Sequence, residues 1–148
     1  RRKWDNALIA DLDQNGYMDV VITEHAYAAS VFWNEGGTFS LPQTVIKGDT
    51  HGVTAADYDK DGRIDVIISQ GGGGGKKPRF PVSFQVNKDR TFEGGKPFEH
   101  FERSRGRAAK LIDSDNNGTL NLVTSAFPLK SQKDGANFLY ENGGERQF

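Results

Sequence analysis

Short runs of apolar and β-branched residues recur along the chain, separated by polar and glycine-rich stretches. Three runs, at 20–22, 66–68 and 122–124, each follow an acidic stretch, and a second set at 7–10, 53–56 and 108–112 precedes it. Runs of this length, bounded by turn residues, are typical of buried β-strands. The composition agrees, because 35% apolar residues, 18 glycines and 26% charged residues suit short strands and many turns. The pattern therefore predicts an all-β protein.

The acidic stretches between these runs are copies of one another. They begin at Asp11, Asp57 and Asp113, so the second starts 46 residues after the first and the third 56 residues after the second. Each copy carries Asp or Asn at its first, third, fifth and ninth positions and glycine at its sixth. A repeat of this period fits one four-stranded blade of a β-propeller.

A second shared signature lies further along each copy, where a turn led by asparagine is followed by an aromatic residue. The asparagines are Asn34, Asn87 and Asn142. Each segment predicts a strand, a turn and the start of another strand. One repeat unit is therefore strand, acidic loop, strand, connection, strand, turn and strand. The second and third units gain their extra length between their second and third strands, and the glycine run at 71–75 predicts a surface loop there.

The acidic loops have the residue types of a calcium site. Side chains at positions 1, 3 and 5 of a tightly turned loop converge, a backbone carbonyl at position 7 adds a ligand, and a carboxylate at position 9 completes a shell of hard oxygens. Glycine at position 6 permits the sharp turn. The predicted ligands are Asp11, Asp13, Asn15, Tyr17 and Asp19 in the first loop, Asp57, Asp59, Asp61, Arg63 and Asp65 in the second, and Asp113, Asp115, Asn117, Thr119 and Asn121 in the third; Tyr17, Arg63 and Thr119 contribute their carbonyls.

These loops resemble the first half of an EF-hand, but an EF-hand has Glu at position 12 and lies between helices. Position 12 is Ile22, Ile68 or Thr124, so strands are the predicted flanks and position 9 is the last ligand. The second loop has four carboxylates, the first three and the third two, because Asn121 replaces the closing Asp. Since affinity rises with ligand charge, we expect the second site to bind Ca²⁺ most tightly and the third most weakly.

Charge and composition narrow the classes of partner. A net charge of -1 gives no general attraction to nucleic acid, which is not an expected partner. Membrane insertion is not expected either, because no apolar run approaches the roughly 20 residues that a spanning helix needs. The sequence has no cysteine and so predicts neither disulfides nor a thiolate metal site. It begins at Arg1 rather than methionine, and we expect it to be part of a longer protein.

Acidic loops of this form between strands, followed by asparagine- and glycine-rich turns and Thr-Phe, resemble the FG-GAP or VCBS repeats of the integrin α-subunit propeller and of many secreted bacterial and fungal proteins. The resemblance covers nearly the whole chain. It implies one partial, calcium-binding propeller domain at 1–148, made of about three four-stranded antiparallel blades at 4–47, 48–104 and 105–148. Three blades do not close a ring, because propellers have about 4 to 8. Either a longer chain with seven or eight blades or self-assembly of copies would complete it.

The resemblance also implies a binding or adhesion module that acts outside the cell, as a secreted, cell-surface or periplasmic protein. Millimolar extracellular calcium would keep even modest sites filled. The expected partner is a protein or a polysaccharide, contacted by residues of the variable connections: His25, Tyr27, Trp33, Lys76, Lys77, Arg79, Lys130 and Lys133. For Trp33, packing between blades is favoured over stacking on a sugar.

Two other functions stay open at this stage. The chain could be the propeller part of a secreted carbohydrate-active enzyme, such as a polysaccharide lyase or hydrolase, or it could be a structural or filament-forming subunit. Catalysis would require an acid or base outside the metal shells. The three histidines, His25, His51 and His100, are candidates by residue type alone, and a structural role is favoured for His51. The sequence therefore identifies no catalytic residue.

Overall fold

The computed structural model describes residues 3–72, 79–98, 101, 103–128, 137–144 and 148, which form eleven β-strands in three antiparallel sheets. The first sheet holds β1 (Lys3–Ala10), β2 (Asp19–His25), β3 (Tyr27–Phe32) and β4 (Gln43–Gly48). The second holds β5 (Thr50–Ala56), β6 (Ile64–Gln70), β7 (Val82–Val86) and β8 (Phe92–Pro97). The described part of the third holds β9 (Arg105–Ile112), β10 (Asn121–Phe127) and β11 (Phe138–Tyr140).

Each sheet is a meander in which strands consecutive in sequence pair side by side. The acidic loop always joins the first and second strands. Ala26 alone joins β2 to β3, whereas the connections from β6 to β7 and from β10 to β11 are much longer, as the sequence predicts. No helix occurs among the described residues, so the all-β prediction is confirmed. A helix able to cross a bilayer is accordingly missing from this part of the chain.

The first strands of the three sheets lie side by side, because β5 contacts both β1 and β9. Glycine allows β5 and β9 to approach each other closely. A β-carbon at Gly52 would lie 2.5 Å from the α-carbon of Ala108 and 2.6 Å from the backbone nitrogen of Ala109, which leaves no room for any other residue without a backbone shift. A β-carbon at Gly106 would similarly lie 2.9 Å from the carbonyl oxygen of Gln70.

Two apolar cores fill the spaces between the sheets. Side chains of a strand alternate between its two faces. In β6, Val66 and Ile68 therefore face the first sheet while Ile67 faces the third, and all three are fully buried. The core between the first and second sheets includes Leu12, Val21, Ala29, Val31, Trp33, Val53, Val66, Ile68, Val82, Phe84 and Val86. The core between the second and third includes Tyr58, Ile67, Phe98, Phe101, Ala109 and Leu122.

Burial falls toward the outer strand of each complete sheet. β4 and β8 have only exposed and half-buried residues, whereas every residue of β7 is buried. Four-stranded meanders that pack face to face with their first strands together are arranged as successive propeller blades are. The described sheets are therefore blade-like, and the number of blades in a complete ring remains a prediction.

Candidate metal sites

Each acidic loop is folded by hydrogen bonds to its own side chains. The carboxylate of Asp11 accepts a hydrogen bond from the backbone N–H of Asn15 at 3.0 Å and another from that of Gly16 at 2.9 Å. Asp57 and Asp113 accept the equivalent pairs at the same distances in the other two loops. These bonds fix the first carboxylate of each loop on the inside of the turn. The three loops therefore share one local structure.

Backbone conformation repeats in the same way. The glycine at position 6 has a positive φ in every loop, 91° at Gly16, 90° at Gly62 and 82° at Gly118, which explains why the sequence has glycine there. Position 4 also lies in the left-handed region, with φ values from 58° to 61°, although its residues are Gln14, Lys60 and Asn116. The sequence did not reveal the left-handed conformation of position 4, because these three residues have no chemical feature in common that would mark it.

The loops bring carboxylates together. Oxygens of Asp11, Asp13 and Asp19 lie within 4.8 Å of one another in the first loop. In the second loop, the same holds for oxygens of Asp57, Asp59 and Asp61. The third loop has the same backbone hydrogen bonds around Asp113, Asp115 and Asn117. Oxygen ligands gathered on the inside of a tight loop suit Ca²⁺, so the residues present fit the predicted ion.

Position 9 fastens the acidic loop to the rest of its sheet. The carboxylate of Asp19, which is fully buried, accepts hydrogen bonds from the backbone N–H of Leu12 at 2.9 Å and of Asn34 at 2.8 Å. Burial raises the pKa of Asp19, and the charges of Asp13 and Asp11 act in the same direction, against the two N–H groups. Asp65 is also fully buried, but it is outside the group of three carboxylates that converge in its loop.

Asn121, at position 9 of the third loop, makes the same kind of hydrogen bond to the turn as Asp19 does, but it has no negative charge. Its side-chain oxygen accepts a hydrogen bond from the backbone N–H of Asn142 at 3.0 Å, as Asp19 does from Asn34. Its amide nitrogen donates to the hydroxyl of Ser114 at 2.7 Å. Asn34 and Asn142 thus support the first and third acidic loops, a role that the sequence pattern alone did not reveal. The amide group of Asn121 retains this link but supplies no carboxylate to an ion.

In the second loop, a cation neighbours the predicted ligands. Arg63 contacts the carboxylate of Asp61 at 3.1 Å and that of Glu93 at 3.3 Å, and the amide of Gln85 also donates to Asp61. Burial raises the pKa of Asp61, but the hydrogen bonds from Arg63 and Gln85 outweigh it, so the pKa lies below its ordinary value. Asp61 is therefore held in the ionised form that a metal ion requires.

The first loop is tied to the second sheet by Arg90. Its Nε donates to the carboxylate of Asp13 at 2.7 Å, and its guanidinium also contacts Glu35 and lies 5.5 Å from the ring centre of Trp33. Hydrogen bonds from Arg90 lower the pKa of Glu35. Arg90 lies in the turn between β7 and β8, far from the first loop in sequence. Its contact with a predicted ligand was therefore not visible from spacing.

The residues at position 7, whose carbonyls are predicted ligands, also belong to the hydrogen-bonded turn. The backbone N–H groups of Tyr17, Arg63 and Thr119 donate to the side-chain oxygens of the residues at position 5, at 2.7 to 2.9 Å. The side chain of Tyr17 is half exposed. Ligation by these three carbonyls stays a prediction.

The residues predicted to contact a ligand separate into several groups. Trp33 is only 3% exposed and its ring centre lies 5.9 Å from that of Phe92, so it packs between the first two sheets as favoured. Tyr27 and Arg79 are exposed, and His25 is half-buried. Lys76, Lys77, Lys130, Lys133 and His100 lie outside the described residues.

Comparison with protein families supports the interpretation of the repeat. Residues 11–68 match the family model described as an FG-GAP-like repeat. The matched segment begins at the first acidic loop and ends within β6, after the second. A search of curated proteins found no match.

Proposed function

We propose that this chain, in which residues 11–68 match the FG-GAP-like repeat, is a calcium-stabilised, extracellular β-propeller module that binds a carbohydrate or protein ligand. The observation that carries the proposal is the convergence of three carboxylates in each of the first two loops, on a backbone that the third loop repeats. Clustered carboxylates repel one another without a counter-ion, so a bound divalent cation would stabilise the folded loops. When bound, Ca²⁺ supplies positive charge and a fixed coordination geometry.

Aspartates of the first two loops would bind the ion while keeping the contacts that they make in the structure. Asp11 and Asp57 would ligate while their backbone hydrogen bonds keep the loops closed. Asp13 would ligate while paired with Arg90, which links the first site to the second sheet. A filled site would therefore stiffen both a loop and a contact between sheets. Millimolar calcium outside cells would keep modest sites occupied, which supports the extracellular assignment.

A groove at the other end of the sheets from the acidic loops suits an anionic ligand. It is an open groove of about 460 Å³, lined by Arg79 and Arg103, by the amide of Gln70, and by apolar groups that include Phe80. The guanidinium of Arg103 lies 5.0 Å from the ring centre of Phe80. Guanidinium groups bind carboxylates and sulfates through paired hydrogen bonds, and an aromatic ring can face a sugar. An acidic saccharide is therefore the proposed ligand class.

The enzymatic alternative gains less from the structure. His25 and His51 come together, with ring centres 5.1 Å apart, so an acid–base pair is geometrically available. His51, however, is fully buried, whereas a general acid or base must reach the proton that it transfers. Among the described residues, we therefore favour a binding function over catalysis.

A glycan array tests the proposal. The protein should bind acidic glycans in millimolar calcium and lose that binding in chelator. The double variant R79Q/R103Q should lose binding while keeping its calcium-dependent thermal stability. The matched control is K88Q, which neutralises an exposed lysine in the turn between β7 and β8 and should bind normally. Equal binding by the wild type and by R79Q/R103Q would refute the groove as the ligand site.

A further inference from the structure

Two imidazoles and two carboxylates meet at the end of the first two sheets that lies away from the acidic loops. Asp5 is in β1, His25 ends β2, Asp49 lies between β4 and β5, and His51 is in β5. We name these four residues the histidine cluster. No motif in the sequence predicts the cluster, because its members lie at irregular spacings, on three different strands and one connection.

The ligand atoms of the cluster are close together. Nδ1 of His25 lies 2.9 Å from Oδ1 of Asp49, and Nε2 of His51 lies 3.1 Å from the same oxygen. The other ring nitrogen of His51 contacts the carboxylate of Asp5. One ligand atom each from Asp5, His25 and His51 lie within 4.8 Å of one another. Donors on three strands therefore surround one small volume.

The chain holds these groups in place with bonds from outside the cluster. The carboxylate of Asp49 accepts hydrogen bonds from the backbone N–H of Ala26 at 2.9 Å and of Gly72 at 3.0 Å. Ala26 has a φ of 59°, a strained value for a residue other than glycine, in the turn that aims its N–H at Asp49. These bonds hold Asp49 where its carboxylate contacts both imidazoles, as the carboxylates that orient metal-binding histidines do.

The histidine cluster leaves room only for glycine at position 71. A β-carbon at Gly71 would lie 2.1 Å from Oδ2 of Asp49 and 2.6 Å from Nε2 of His51. Any side chain at position 71 would displace both groups. His51 is itself fully buried, and its carbonyl accepts a hydrogen bond from the hydroxyl of Thr23. The cluster is thus built around a buried histidine that the surrounding backbone holds in place.

From this geometry we propose that the histidine cluster is a second kind of metal site, which binds Zn²⁺ or a similar divalent transition metal through His25, His51 and Asp5, while Asp49 orients the two imidazoles. The donor set decides the class of metal. Two imidazole nitrogens and one carboxylate oxygen supply three of the four ligands that Zn²⁺ prefers, as in zinc sites with one open position, whereas Ca²⁺ takes oxygen ligands alone. Asp5 lies six residues before Asp11 on an extended strand, about 20 Å away, so this site is separate from the first calcium loop.

Arg107 of β9 is the counter-charge of the metal-free cluster. Its guanidinium contacts both ring nitrogens of His51 and also lies 4.8 Å from the ring centre of Phe127. A guanidinium beside the imidazole repels an incoming cation and offsets the two carboxylates. Zinc and Arg107 therefore compete for the cluster, and the zinc-bound protein would keep Arg107 against Phe127. A bound ion would join β1, β2 and β5 and thereby fasten the first sheet to the second.

Calorimetric titration of the calcium-saturated protein with ZnCl₂ tests the proposal. We expect one zinc site in the wild type, a loss of affinity of at least about tenfold in H25Q, and a gain in R107Q. His25 is the chosen ligand because its side chain is 40% exposed and its replacement spares the core. E141Q is the control, because it removes an exposed carboxylate that belongs neither to the acidic loops nor to the histidine cluster, and it should bind zinc as the wild type does. Thermal unfolding with and without zinc gives a second readout, in which zinc raises the melting temperature of the wild type and not of H25Q.

Two results would overturn the proposal. One is the absence of zinc binding by folded, calcium-saturated wild-type protein, which would make the cluster a hydrogen-bonded network alone. The other is equal zinc affinity in H25Q and the wild type, which would place the zinc elsewhere. Neither result bears on the calcium loops, whose occupancy is measured separately.

Discussion

Replacing Trp33 by alanine tests the packing of the first sheet against the second. The side chain is 3% exposed, packs against Phe92 and donates its indole N–H to the side-chain oxygen of Gln43 at 2.7 Å. Truncating a buried tryptophan removes its apolar contacts and leaves a cavity, which costs about 3–5 kcal/mol. The change also leaves the oxygen of Gln43 without this donor. We therefore expect W33A to lose a large part of the stability of a domain that has about 5–15 kcal/mol in total.

The measurement is urea unfolding in saturating calcium, followed by circular dichroism. The matched variant W33F keeps an aromatic ring but removes the N–H, and we expect it to cost about 1–2 kcal/mol. W33F also keeps the test informative if W33A fails to fold. A ligand-binding surface tryptophan would behave differently, since substitutions of that kind change stability by less than about 0.5 kcal/mol. A W33A protein as stable as the wild type would refute the packing role.

Three further changes test other parts of the structure. Gly52→Ala should destabilise the protein by about 1–3 kcal/mol in the same assay, because the new β-carbon meets the backbone of β9; an unchanged midpoint would contradict the close strand contact. Asn121→Asp should tighten calcium binding by the third loop roughly tenfold by calorimetry, since it adds a carboxylate beside a divalent ion; unchanged affinity would show that position 9 does not ligate. Burial raises the pKa of Asp19 in the folded, metal-free chain. As the pH falls, the carboxylate is therefore protonated in the folded state before it is protonated in the unfolded state, and this protonation removes a destabilising buried charge. Calcium should therefore release a proton in mildly acidic solution from the wild type and not from Asp19→Asn, and equal release would contradict this linkage.

Much of the fold was predictable because its strands are simple in composition. The β-branched runs at 20–22 and 66–68 became β2 and β6, where burial on one or both faces favours such residues. The outer strands were harder to bound. Phe92 begins β8 as predicted, whereas β4 begins at Gln43, four residues after Phe39, because Pro42 has no N–H to donate to a strand. Local pattern thus located the strands but not the ends of those at the edge.

The candidate sites were likewise predictable only where they depend on local sequence. Spacing within nine residues was enough to name Asp11, Asp57 and Asp113 and the glycines that turn their loops. Contacts between distant segments were not predictable, because they depend on how the sheets pack. Arg90 reaches Asp13 across a sheet boundary, and His25 meets His51 only when β2 and β5 are side by side. Interactions of this kind require the structure.

The most direct test of the central claim is calorimetric titration of the metal-free chain with calcium, combined with thermal unfolding at each calcium concentration. We predict three sites of unequal affinity, the second loop tightest and the third weakest, with each site adding about 2.7 kcal/mol of stability at a calcium concentration 100 times its dissociation constant. Three equal sites would contradict the predicted order of affinity. No heat of binding and no rise in unfolding temperature at millimolar calcium would contradict the claim that these loops are calcium sites.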